Sequence, residues 1–77
     1  MIDQRHRDER ATADWRPSEL DVEILRLLSR GLTTDAIARR VGVSERTVRR
    51  RLRASADEIG VESSIEAVVH AVRRGLI

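Results

Sequence analysis

The 77-residue sequence predicts an all-α fold, four short helices gathered into a bundle-like domain behind a disordered N-terminal tail. Three observations lead there. Apolar residues recur at helical spacing in four segments, with no strand-like alternation anywhere. Each segment is preceded by Ser or Thr and followed by Gly, the residues that start and stop helices. The first fourteen residues, MIDQRHRDERATAD, carry no apolar period at all. A chain of this length supports one small domain, whose core is only just large enough to fold without staples.

The elements follow in order. Residues 1–14 are charged or small and polar, so they bury too little surface to offset the entropy of ordering and read as a flexible polar tail. Trp15 and Pro17 mark the start of a domain over 15–77. Ser18, with Asp21 three residues on, caps a first helix whose inner face is Leu20, Ile24, Leu25, Leu27 and Leu28. Gly31 ends it, taking up the left-handed conformation. Thr33 or Thr34 caps a second, with Asp35 at its positive end and Ile37, Ala38 and Val41 inside. It stops at Gly42. Ser44 caps a third helix that can run to Ile59, with Gly60 beyond. A fourth, from about Ser63 or Ser64 to Arg74, is expected to bury Ile65, Val68 and Val72 before Gly75.

The third helix carries the most informative pattern. Five arginines and no acidic residue lie between Arg46 and Arg53. Arg46, Arg49, Arg50 and Arg53 share the i, i+3, i+4, i+7 spacing of one face, an arc of roughly 100°, whereas Val48, Leu52 and Ile59 point the other way. One helix therefore faces a core on one side and a polyanion on the other. The second and third helices meet across Gly42-Val43, with small Ala38 permitting a close crossing. That is the spacing of a helix-turn-helix, in which the second helix of the pair enters the DNA major groove by its N-terminal half. The arginines sit in that half.

Composition removes competing classes. No cysteine is present, so disulfides and thiolate metal sites are excluded. Trp15 is the sole aromatic residue, which leaves no stacking platform for single strands or RNA. Neither a membrane-length apolar run nor a signal-peptide core is found, so a cytoplasmic protein is expected. An enzyme is not expected: the two histidines, His6 and His70, stand apart from any cysteine or paired carboxylates, and a phosphate-binding glycine loop is missing. Neither a cofactor nor a metal is called for.

The runs Ser18-Glu19-Leu20-Asp21-Val22-Glu23-Ile24-Leu25-Arg26-Leu27-Leu28, Gly31-Leu32-Thr33, Ile37-Ala38, Gly42-Val43-Ser44-Glu45-Arg46-Thr47-Val48, Ile59-Gly60-Val61 and Glu66-Ala67 resemble the DNA-binding domain of LuxR-type (GerE/FixJ-type) bacterial transcription regulators, over about residues 17–77. The resemblance implies four helices, a third helix that reads the major groove, and a fourth that pairs two copies on an operator. It places Arg49, Arg50 and Arg53 at base edges and Thr33, Ser44, Arg46 and Thr47 at phosphates. There are departures: Ala36 stands where such domains often carry an acidic residue, Arg51 where histidine is frequent, and Pro17 where a leucine is usual. Such domains also commonly follow a sensory domain, so the chain is either a stand-alone regulator or a piece of a longer one.

The chemistry holds without the family. Arginine presents two parallel donors to guanine O6 and N7, worth about 1–3 kcal/mol of discrimination. Ser44 and Thr47 can donate to phosphate, beside the positive end of the third helix. On the fourth helix Val69, flanked by Glu66, His70 and Arg73, is the expected seam of a homodimer on double-stranded DNA. The rival reading is a small helical interaction module whose arginines face an acidic partner, such as another regulator or RNA polymerase.

Overall fold

The computed structural model of the protein describes residues 14–77; four helices follow Trp15, and no strand occurs among the described residues. They are α1 (Glu19–Ser29), α2 (Thr34–Val41), α3 (Glu45–Glu58) and α4 (Ser64–Arg73). The all-α expectation is met. The expected tail lies outside the described residues, Asp14 excepted.

All four helices open on a hydroxyl cap. Ser18, Thr33, Ser44 and Ser63 hold extended backbone, and each side chain accepts the amide three residues on, at 3.1, 3.1, 3.0 and 3.2 Å. Such a cap contributes about 1 kcal/mol. Thr33, not Thr34, thus caps α2. At the other end of α2, Gly42 adopts φ +80°, and the amides of Gly42 and Val43 both bond to the Ala38 carbonyl, at 2.9 and 3.1 Å. This reversal turns the chain into α3 within three residues, Gly42 to Ser44.

The core lies where α1 meets the other three helices. Ile24, Leu25 and Leu27 from α1 pack with Ile37 and Ala38 from α2, Val48 and Leu52 from α3, Ile59, and Ala67 and Ala71 from α4. Trp15 is buried against the same cluster, and its carbonyl accepts a 3.2 Å bond from Arg74 Nη1, which ties the start of the domain to the end of α4.

In α4 the expected inner face is wrong. Ile65 and Val72 are exposed, at 62% and 54%, while Ala67 and Ala71 are fully buried and Val68 is half-buried. The helix is rotated by roughly 110° from the orientation its largest apolar residues suggest. The small alanine face lets the α4 backbone approach α1 and α3 closely, and a core this small has no room there for larger side chains.

A second feature concerns Asp21. Its amide is capped by Ser18 and its carboxylate turns back to Ser18, as expected. The same carboxylate also reaches α3, where Arg51 Nε and Nη2 donate to Oδ1 and Oδ2 at 2.7 and 2.6 Å. Asp21 is only 5% exposed. Burial raises its pKa, but the Arg51 hydrogen bonds and charge, helped by Ser18, outweigh that and hold it below the ordinary carboxylate value. Arg51 is in turn pushed up by Asp21.

Candidate nucleic-acid interface

The interface is assembled from the α2–α3 pair and presented by α3. Val48 and Leu52 are buried, which fixes the roll of α3 about its axis. That roll turns Arg46, Arg49, Arg50 and Arg53 into solvent together. Among the described residues Arg46, Arg50 and Arg53 form no ion pair, and all four arginines line one open groove rimmed by Thr34 and Ser64. The guanidinium groups of Arg46, Arg50 and Arg53 stand available to an anionic partner, whereas Arg51, adjacent in sequence, is spent on Asp21.

The hydroxyl groups gather at the N-terminal end of α3. Ser44 Oγ accepts the Thr47 amide at 3.0 Å and donates to Thr47 Oγ1 at 2.9 Å. Thr47 therefore keeps its own O–H to give to an external acceptor, beside the partial positive charge of the helix start. Thr33, exposed at the head of α2, accepts the Ala36 amide and likewise retains its hydroxyl hydrogen. Thr33, Ser44, Arg46, Thr47, Arg49, Arg50 and Arg53 thus belong to the α2 and α3 starts and to one outer face of α3.

Two residues at this site were missed from the sequence. Glu45 Oε2 accepts from Thr34 Oγ1 at 2.7 Å and from Arg49 Nη2 at 3.1 Å. The Thr34 hydrogen bond, then Arg49, lowers the Glu45 pKa, and like any glutamate it carries a negative charge at neutral pH, here within the arginine surface. The i, i+4 spacing of Glu45 and Arg49 was visible in the sequence; the Thr34 contact, made between helices, was not.

The four residues expected at a dimer seam lie apart from this face, on α4. Glu66, Val69 and Arg73 are exposed and His70 is half-buried. Glu66 also completes a cap: its amide bonds to Ser63 Oγ, and its Oε2 accepts the Glu62 amide at 3.2 Å. Ile65, Val69 and Val72, at i, i+4 and i+7, form an exposed apolar stripe that sequence reasoning assigned in part to the core. Among the described residues no helix is long and apolar enough to cross a membrane, and no cluster of His, Cys, Asp or Glu could hold a metal ion; His6 lies outside them.

A short α2 set against an α3 with one buried and one basic face defines a helix-turn-helix domain. Residues 22–64, more than half of the chain, match the homeodomain-like domain family of helix-turn-helix proteins, and the chain belongs to it. Among known proteins it is 40% identical over 60 residues to the transcriptional regulatory protein YdfI of Bacillus subtilis, covering 78% of this chain and 28% of that one. It is 39% identical over 72 residues to Mb0914c of Mycobacterium bovis and to MT0914 of Mycobacterium tuberculosis, both named as HTH-type transcriptional regulators, covering 94% of this chain and 8% of each relative. The chain thus corresponds to a minor part of each relative's length. No solved structure matches it.

Proposed function

We propose that the chain is a LuxR-type DNA-binding domain that binds double-stranded operator DNA in the major groove through α3, in the service of transcription regulation. The single observation that carries the reading is the outer face of α3: Arg46, Arg49, Arg50 and Arg53 exposed together while Val48 and Leu52 anchor the opposite side. Relatives named as transcriptional regulators support it. Arg49, Arg50 and Arg53 are assigned to base edges, where a bidentate pair to guanine discriminates by about 1–3 kcal/mol. Arg46, Thr33, Thr47 and, once its hydroxyl turns from Thr47, Ser44 are assigned to phosphates, which set register and carry little sequence information.

Two copies pair on the operator through α4. The seam comprises Val69 with Glu66, His70 and Arg73, and the exposed Ile65 and Val72 extend it. So narrow a stripe falls short of the roughly 1,200 Å² of a stable interface, so pairing occurs on DNA rather than in solution.

The test is selection of bound sequences from a random double-stranded pool, followed by affinity measurements on the enriched site. An inverted repeat bound about a thousandfold more tightly than scrambled DNA is the expected outcome. Arg49→Ala and Arg53→Ala then relax preference at single base pairs, while Arg46→Ala weakens all DNA alike and reduces the salt slope by about one. Binding that never exceeds its non-specific level would overturn the reading.

A further inference from the structure

The Glu45–Arg49 pair differs from an ordinary surface ion pair, and the chain contains its own control. Arg39 and Asp35 on α2 have the same i, i+4 spacing and the same 3.1 Å separation. Their side chains are 76% and 62% exposed, and Asp35 has no other partner among the described residues; such a pair fluctuates and is worth little. Glu45 is 40% exposed and is gripped from a second helix by the Thr34 hydroxyl, eleven residues away, at 2.7 Å. A carboxylate held from two elements is a fixed point, and the arginine it accepts from loses rotamer freedom before any ligand arrives.

Resting on the DNA-binding proposal above, we propose that Glu45 is a specificity-determining positioning residue: anchored by Thr34, it holds Arg49 in a set pose on the α3 face and repels phosphate from it. Two consequences oppose one another. A pre-ordered guanidinium loses less entropy on meeting a guanine edge, which favours the correct base. The negative charge in the first turn of α3 cancels part of the attraction that arginines and helix start offer to any phosphate backbone, which disfavours DNA at large. The pair thus trades general affinity for discrimination. Among the described residues only Nη2 of Arg49 is engaged, so the rest of the guanidinium remains to face a base. Glu45 is ionised at neutral pH as any surface glutamate is, and the bonds from Thr34 and Arg49 favour that charged form further.

The experiment compares wild type with Glu45→Gln, Thr34→Val and the control Asp35→Asn, each checked for native fold by circular dichroism. Three quantities are read: order of the Arg49 Nε–Hε group by ¹⁵N relaxation in the free protein, affinity for random duplex DNA at two salt concentrations, and preference at the base pair that Arg49→Ala relaxes. Glu45→Gln is expected to disorder Arg49, to tighten random-DNA binding by roughly three- to tenfold with a salt slope steeper by about one, and to lower the base preference by roughly tenfold. Thr34→Val keeps the charge but releases the anchor, so it disorders Arg49 and lowers preference with random-DNA affinity unchanged. Asp35→Asn leaves Arg49 order and base preference unchanged. Arg49 order and base preference unchanged in Glu45→Gln would overturn the proposal while leaving DNA reading intact. Loss of a cytosine preference with Arg49 order unchanged would also overturn it, making Glu45 a direct reader of the base. If the wild type itself selects no sequence, the DNA-binding proposal fails and discrimination by Glu45 fails with it, whereas the relaxation data alone still report whether Glu45 and Thr34 order Arg49.

Discussion

Asp21 and Arg51 lie thirty positions apart in the chain and meet as a bidentate pair across α1 and α3. The pair locks the roll of α3 about its axis and so sets the aim of the arginine face. Asp21 is almost wholly buried, whereas the Arg51 side chain is 40% exposed. Truncation at Asp21 therefore strands a cation that water can still reach, and Asp21→Ala is expected to cost about 1–3 kcal/mol in denaturant unfolding at neutral pH, at the lower end of buried-pair losses. The folded-state pKa of Asp21 lies below the unfolded one. Its contribution is thus fully present above the unfolded value and is lost as pH falls through the folded one, below about pH 4. Wild type compared with Asp21→Asn by denaturation at pH 7 and pH 3 should show a gap that narrows in acid; a constant gap would refute the linkage. Arg51 was visible in the sequence as an arginine off the basic face, but its partner was not, because nothing local relates the two positions.

At the level of elements, boundaries were legible because they depend on local chemistry. A hydroxyl three residues before an amide, and a glycine where φ turns positive, act within one turn whatever the rest of the fold does. Gly42 is the most consequential of these. An added Cβ there would meet nothing within 4 Å, so Gly42→Ala is limited to conformational strain. A loss of about 1–2 kcal/mol is expected in thermal or denaturant unfolding, with Gly42→Asn milder because Asn tolerates the left-handed region. The inner face of α4 was not legible. Hydrophobic size pointed to Ile65 and Val72, whereas close packing selected Ala67 and Ala71, and no local signal ranks a small tight contact above a large loose one.

For the molecule as a whole, the basic surface of α3 and the apolar stripe of α4 are separate surfaces with separate consequences. Ile65→Ser with Val69→Ser removes side chains that are 62% and 41% exposed, so stability should shift by no more than about 0.5 kcal/mol per site. Affinity for a two-half-site operator should fall by roughly tenfold or more while half-site affinity holds, as measured by gel shift on both DNAs; equal losses on both would argue against pairing through α4. Helix count, helix limits and the arginine face all follow from spacing along the chain, since periodicity, capping and glycine conformation act over a few residues. The Asp21–Arg51 lock, the Thr34 grip on Glu45 and the roll of α4 by about a third of a turn arose only when α1, α2, α3 and α4 packed together. Each joins atoms from two helices or ranks one packing against another, and those energies come into being only once the chain has closed on itself.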